Sequence, residues 1–169
     1  RHPQYGEAPT WDPSRHHADP LSTTKYLVFS KLFTNWSDNP QNCQGQVYPW
    51  AVQSWRWVED TTTEFTLRQG MRFHNKPPVS GREAVAQDFV SAFERYKKNL
   101  SFMAGKAAAV ELVSVKDKYT FQMKLKSPWG GMVSELLAHF YGPWLEAAEA
   151  GGPEGKLWEQ PEKSWIGSG

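Results

Sequence analysis

The chain has 169 residues, of which 39% are hydrophobic and 22% charged, enough for one compact domain with a core of its own. Its 19 basic and 18 acidic residues leave a net charge of +1, so the composition offers no general attraction to nucleic acid or to an anionic membrane. The single cysteine, Cys43, excludes an internal disulfide and a cysteine-based metal cluster, and no apolar run approaches the length of a transmembrane helix.

The first part of the chain is predicted to hold a loop, a helix and a second loop. Four prolines and no regular period occur between Arg1 and Pro20, which predicts an extended loop. Ser22–Phe33 is predicted as a helix, because Ser22 suits an N-cap and apolar residues recur at helical spacing. Asn35–Gln46 is polar and is predicted as a loop.

Two runs in the middle of the chain alternate polar and apolar residues, which is the period of a half-buried strand. Gln53–Val58 places Trp55 and Trp57 on one face, and Thr63–Arg68 resumes the alternation after a short polar break. The sequence therefore predicts an antiparallel hairpin. Met71–His74 is predicted as a third short extended piece, because two adjacent prolines follow it and prevent regular structure.

A helix is predicted after this loop. Ser80 and Glu83 have the spacing of a capping box, in which each side chain binds a free amide at the start of a helix. Gly81–Lys98 then shows helical periodicity, and its apolar face is predicted to cover the strands. That face consists of Val85, Phe89, Phe93 and Tyr96.

The second half predicts another strand pair and two short helices. Val110–Val115 and Tyr119–Leu125 are predicted as paired strands, the second with a clear alternation of apolar and polar residues. Gly131–Phe140 and Pro143–Ala150 are predicted as short helices.

The order of hairpin, short strand, polar loop and capped helix, with these residues, resembles the family 5 extracellular solute-binding proteins of ABC importers. The matching pieces follow one another at suitable spacing and are Trp50–Trp55, Phe65–Gly70, Phe73–Asn75 and Ala86–Arg95. The family usually has Asp-Gly turns where this chain has Asp60-Thr61 and Asn75-Lys76. Because glycine tolerates positive φ, we expect these turns to differ in type or length.

The resemblance implies an α/β fold with two lobes that close on a ligand. Residues 1–169 are expected to be the N-terminal part of lobe one, as a fragment without the second lobe. That part is expected to be a mixed β-sheet covered by helices. Trp158–Gly169 is expected to be weakly held, because it leads into a strand of the lobe that the fragment lacks.

The resemblance also implies a function. The protein would be the substrate-binding component of an ABC importer, which captures a solute outside the cytoplasmic membrane and delivers it to a transmembrane permease. A peptide is the first candidate for the solute, and the location would be periplasmic or extracellular, with a membrane anchor in the full-length protein. In peptide-binding members, backbone before the first helix pairs with the ligand, which places the ligand contacts at His17, Ala18 and Asp19.

The sequence predicts no enzyme. No nucleophile elbow, phosphate-binding loop, zinc-protease motif or dinucleotide fingerprint occurs, so no catalytic residue, metal or cofactor is expected. His16-His17 has no carboxylate or third histidine at ligand spacing.

Two other classes of binding protein remain open: a tryptophan-rich module that binds carbohydrate or another partner, and the solute-sensing domain of a transcriptional regulator. An upstream DNA-binding domain would identify the regulator. A planar row of indoles on one face would favour carbohydrate stacking, whereas scattered burial would favour the solute-binding lobe. The tryptophans that decide this are Trp36, Trp50, Trp129, Trp144, Trp158 and Trp165.

Overall fold

The computed structural model describes residue 12 and residues 25–35, 46–99, 103–139, 141–150 and 165–168. Within these residues lie six strands, two α-helices and one π-helical turn. The strands are β1 (Phe33–Thr34), β2 (Tyr48–Pro49), β3 (Val52–Glu59), β4 (Thr62–Leu67), β5 (Val110–Val115) and β6 (Thr120–Leu125). The helices are α1 (Ala86–Asn99) and α2 (Ala104–Ala108), and the π-helical turn is Val133–Leu137.

The main sheet has four strands in the order β3-β4-β6-β5, and β1 and β2 form a separate two-stranded sheet. This arrangement confirms the α/β class and the two predicted strand pairs. The strand directions differ from the predicted mixed sheet, because every pairing among the described strands is antiparallel. β4 and β5 do run in the same direction, but β6 turns back and inserts between them, so the helical crossover makes no parallel pair.

The turn between β3 and β4 differs in type from the family's Asp-Gly turn, as predicted. Glu59 pairs with Thr62, which leaves Asp60 and Thr61 as the loop, and neither of the two has a positive φ. Type I′ and II′ hairpin turns need positive φ. The hairpin instead has an irregular register between Trp57 and Glu59.

The predicted half-burial of the first strand is wrong for most of β3. Only Val52 is buried there, and Trp55 and Trp57 are 42% and 38% exposed although they are on the side of the sheet that carries Phe65. β3 is an edge strand, and α1 packs against β5 and β6 toward the opposite edge of the sheet. An alternating pattern identifies the two faces of a strand but does not show whether another layer covers them.

The helix α1 begins later than predicted. Ser80 lies at a φ of 53°, outside the helix, and Glu83 accepts hydrogen bonds from the Gly70 amide, the Lys118 ammonium and the Tyr119 hydroxyl. The predicted capping box is therefore wrong. Asp88 takes the role expected of Glu83, because its Oδ2 accepts a hydrogen bond from the Val85 amide at 2.9 Å, just before the first helical residue.

The core lies between α1 and the inner face of the sheet. Phe121 stands at its centre, 5.1 Å from Phe65 and 4.8 Å from Phe89 between ring centroids. The predicted apolar face of the helix is confirmed for Phe89, Phe93 and Tyr96, which are all buried. The predicted alternation in the last strand is confirmed as well, since its apolar residues are buried.

Two segments predicted as helices are largely non-helical in the described residues. Residues 25–28 form a helical turn, and then Lys31 pairs with Trp144 in an isolated bridge and Phe33–Thr34 forms β1. The Leu145 amide donates to the Ser30 carbonyl at 2.8 Å. The prediction of a helix over 22–33 is therefore confirmed for residues 25–28 and wrong for residues 31–34, and the prediction of a helix over 143–150 is wrong. Apolar residues in short segments suit either structure, and here pairing between distant segments satisfies the backbone groups.

Residues 165–168 are held inside the structure, against the expectation of a weakly held tail. Ile166 is fully buried, the Gly167 carbonyl accepts a hydrogen bond from the His74 amide, and the Ser168 carbonyl accepts one from the Ser30 hydroxyl. A Cβ on Gly167 would lie 1.5 Å from the Val28 carbonyl oxygen, so this close approach requires glycine.

No helix in the described parts of the chain is long and apolar enough to cross a membrane.

The position of Phe121 generates a stability prediction. Phe121→Ala should lower the free energy of unfolding by about 3–5 kcal/mol, because it removes a fully buried ring and leaves a cavity between sheet and helix. Leu112→Ala, on the opposite face of the sheet at 52% exposure, is the control and should cost less than about 1 kcal/mol. Urea unfolding at pH 7 measures both, and similar losses would contradict the assigned core.

Candidate functional site

The predicted ligand contacts His17, Ala18 and Asp19 lie outside the described residues. The structure does describe residues on both sides of them, Asp12 and Lys25. Both are buried, at 3% and 1% exposure, and both belong to one group of charged side chains. We call this set the ion cluster, which consists of Asp12, Lys25, Arg95 and Glu146.

Arg95 is the centre of the ion cluster. Its Nη1 donates to Asp12 Oδ1 at 2.8 Å, and its Nη2 forms a close ion pair with Glu146. Asp12 also interacts favourably with the Lys25 ammonium, so the two residues that flank 13–24 are electrostatically coupled. The cluster therefore joins both ends of that segment to α1.

Beside the ion cluster, Lys31 is buried among aromatic rings. Its ammonium lies 5.0 Å from the centre of the Trp144 ring and 5.9 Å from that of Tyr26, and it donates a hydrogen bond to the His139 carbonyl. Tyr26 meets Trp144 edge-on at 4.8 Å and stacks on Trp50 at 6.5 Å. We call Tyr26, Lys31, Trp50 and Trp144 the lysine–aromatic cluster. The ring faces attract the cation and offset part of the cost of burying it.

Burial controls the charge of both lysines. Burial, together with a smaller effect of the positive charge of Lys25, lowers the pKa of Lys31 to about 7. The pKa of Lys25 falls to about 8, again mainly through burial, with Asp12 opposing the shift and Arg95 adding to it. Lys31 forms no ion pair among the described residues, so it is a buried cation held by a carbonyl and by rings alone. Strongly perturbed titratable groups of this kind mark candidate functional regions.

Sequence reasoning missed most of these residues. Asp12 pairs with Arg95, 83 positions away, and no pattern around Asp12 in the sequence indicates such a distant partner. Nothing in the local pattern distinguishes Lys25 and Lys31 from surface lysines, because their burial results from distant segments. Arg95 ends the last of the matching pieces, which was the one available signal.

The arrangement can anchor the residues on both sides of 13–24. In the described parts of the chain, no group of three or more histidine, cysteine, aspartate or glutamate side chains could hold a metal ion. The two acidic and two basic side chains of the ion cluster neutralise one another.

The tryptophans are scattered rather than arranged in a row. Trp144 is 3% exposed, and Trp165 packs edge-on against Phe29 at 5.7 Å. Trp50 stacks on Tyr26, and Trp129 is partly buried against the core. Trp36 and Trp158 lie outside the described residues. Among those described, the placement matches the solute-binding lobe and not a planar stacking surface.

The fold is that of a lobe of periplasmic binding proteins. The structure resembles the binding protein AgaA from A. tumefaciens R10, solved with agropinic acid, with a TM-score of 0.76, 21% identity and coverage of 97% of this chain and 30% of that one. It resembles Haemophilus influenzae OppA, solved with the peptide RPPGFSPFR, with a TM-score of 0.75, 24% identity and coverage of 95% and 32%.

The sequence places the chain within a family. The profile described as bacterial extracellular solute-binding proteins, family 5 middle, matches residues 46–169, and the chain belongs to this family. A probable peptide ABC transporter periplasmic-binding protein of Sinorhizobium fredii is 27% identical over 135 residues. That match covers 75% of this chain but only 23% of the relative, so the chain spans about a quarter of the relative's length.

Lys31 generates a prediction about pH. The folded state binds the Lys31 proton less tightly than the unfolded state, whose pKa is near the ordinary 10.5. Between about pH 7 and 10 the unfolded chain therefore holds a proton that the folded chain has lost, and the unfolding free energy should rise by up to about 1.4 kcal/mol per pH unit from this group. Lys25 should add a slope of the same sign above about pH 8.

Lys31→Met should remove the Lys31 contribution to this rise and increase stability at pH 7, because it eliminates a buried charge and keeps the side-chain volume. Lys98→Met, an exposed lysine at the end of α1, is the matched control and should keep the wild-type slope. Chemical denaturation at pH 6, 7, 8 and 9 gives the slopes. Equal slopes for Lys31→Met and the wild type would contradict the assigned environment of Lys31.

Proposed function

We propose that this chain is the N-terminal part of the first lobe of a substrate-binding component of an ABC importer. The observation that carries the proposal is the family match over residues 46–169, which includes the main sheet and α1. The likeness to AgaA and OppA over nearly the whole chain supports the lobe assignment. The role is binding and not catalysis, since the family is one of binding proteins.

The whole protein captures a solute outside the cytoplasmic membrane and delivers it to a transmembrane permease. Its location is periplasmic or extracellular, with a membrane anchor in the full-length protein. A peptide is the first candidate, because the Sinorhizobium relative is described as a probable peptide transporter component and OppA was solved with a peptide. The NikZ protein of Campylobacter jejuni, solved with Ni(L-His), shares the fold at a TM-score of 0.71, so the fold alone does not select a peptide.

The segment that contains His17, Ala18 and Asp19 supplies the ligand contacts of this lobe. An extended ligand gains affinity from main-chain hydrogen bonds, which require a backbone fixed in place. The ion cluster supports this role, because Asp12 and Lys25 flank the segment and are both buried beside Arg95.

The first test compares this chain with the full-length protein. A single lobe leaves a bound solute half exposed to water, so the chain alone should bind at least about a hundredfold more weakly than two closing lobes. The solute is first found by a thermal-shift screen of peptides, nickel chelates and sugars on the full-length protein. Isothermal titration calorimetry then measures both proteins, and equal affinity would contradict the lobe assignment.

A substitution in the full-length protein tests the ligand segment. Ala18→Pro removes a backbone donor and should weaken binding about three- to tenfold, which is the range of one lost hydrogen bond. Leu27→Ala is the control, because Leu27 is 76% exposed and follows the segment closely. Unchanged affinity in Ala18→Pro would remove Ala18 from the contact surface while leaving the importer function intact.

A further inference from the structure

A groove lies at the tip of the β3–β4 hairpin, away from the ion cluster. It has a volume of about 490 Å³ and is bounded by the hairpin on one side and by residues 128–130 on the other. Its apolar lining consists of Trp57, Val58, Pro128 and Trp129, and its acidic lining consists of Glu59 and Asp60.

The acidic side chains of the groove are not neutralised. Glu59 and Asp60 form no ion pair in the described structure, and no lysine or arginine lines the groove. Glu59 accepts only a hydrogen bond from the Thr62 hydroxyl. By contrast, Glu64, in the middle of the neighbouring strand, pairs with both Arg56 and Lys116. Within the described residues, Asp60 therefore leaves an unpaired negative charge at the hairpin tip. Glu59 adds a second carboxylate, although it also borders a neighbouring pocket that basic side chains line.

The aromatic surface of the groove is open. Trp57 is 38% exposed and makes no ring contact in the described structure, whereas Trp55, two residues earlier, packs against Phe33 and Phe65. Val58 is 40% exposed beside it. Indole faces attract cations more strongly than other aromatic rings do, and nearby carboxylates add charge-assisted hydrogen bonds.

We propose that this groove is a docking site for a lysine or arginine side chain presented by a protein partner. The charge selects a cation, and the two indoles and Pro128 supply apolar surface for the methylene stem. The position of the groove selects a polypeptide over a small free cation. Beyond Val52, whose amide donates to the Leu32 carbonyl, no described strand pairs with the outer side of β3. An extended segment can therefore pair there and place its side chain in the groove.

NMR of the chain with labelled tryptophan indoles tests the proposal. The probe is an acetylated, amidated heptapeptide that alternates glycine and arginine, and the matched control peptide carries citrulline, the neutral isostere, in place of arginine. The arginine peptide should shift the indole N–H resonances of Trp57 and Trp129 saturably, and the citrulline peptide should leave them in place. The shifts should decrease with added salt, because the attraction is between exposed charges.

Substitutions distinguish binding in the groove from non-specific attraction of the peptide to acidic side chains. Asp60→Asn should weaken the peptide about two- to fivefold, the upper part of the range for one exposed ion pair. Glu94→Gln removes one carboxylate from α1, outside the groove, and should change the affinity less than about 1.5-fold. Trp57→Ala should abolish the saturable shift of Trp129.

Four outcomes would overturn the proposal. Equal shifts with the citrulline peptide would show an apolar surface without charge selection. Shifts with maltotriose and none with the arginine peptide would show a carbohydrate platform. Equal weakening by Asp60→Asn and Glu94→Gln would show non-specific attraction, and unchanged indole resonances would show that the groove binds no cationic segment.

Discussion

The packing of α1 against β5 and β6 is the contact on which the rest of the structure depends. Phe65, Phe121 and Phe89 form a continuous line of rings from the middle of the sheet into the helix, and all three are fully buried. Strands near this line are covered, and β3, which is farthest from β5 in the sheet, is not. The same arrangement that buries the central strands therefore leaves Trp57 accessible at the edge.

Asp88 fixes where that helix begins and what lies next to it. One carboxylate accepts hydrogen bonds from the Val85 and Ala148 amides and from Arg82, which also binds Glu149. Because Asp88 is 1% exposed, these donors replace water around a buried charge. One of the donors to Asp88 lies 60 residues away, at Ala148. The local sequence therefore does not show that Asp88 marks the start of the helix.

Elements that neighbouring residues determine could be predicted from the sequence, and elements that distant contacts determine could not. Val110–Val115 and the β3–β4 hairpin were predicted closely, because neighbouring residues determine alternation and turns. The stretch around Lys31 was predicted as a helix and is extended, because its backbone bonds go to Ala51 and Leu145. The predicted ligand contacts remain a prediction from family resemblance, whereas the residues that flank them were identified only by the structure.

Burying the charged residues around the candidate ligand segment costs folding free energy, so their contribution is to fix positions rather than to add stability. Apolar residues of similar volume would fill the space of Lys31 or of the Arg95–Glu146 pair at equal or greater stability. Charged partners, however, accept few alternative positions, so Asp12 and Lys25 are fixed in register as well as buried. The main sheet gains its order from apolar packing, and the region next to residues 13–24 gains it from charge pairing. The stability of the second region therefore depends on pH through the charge state of Lys31.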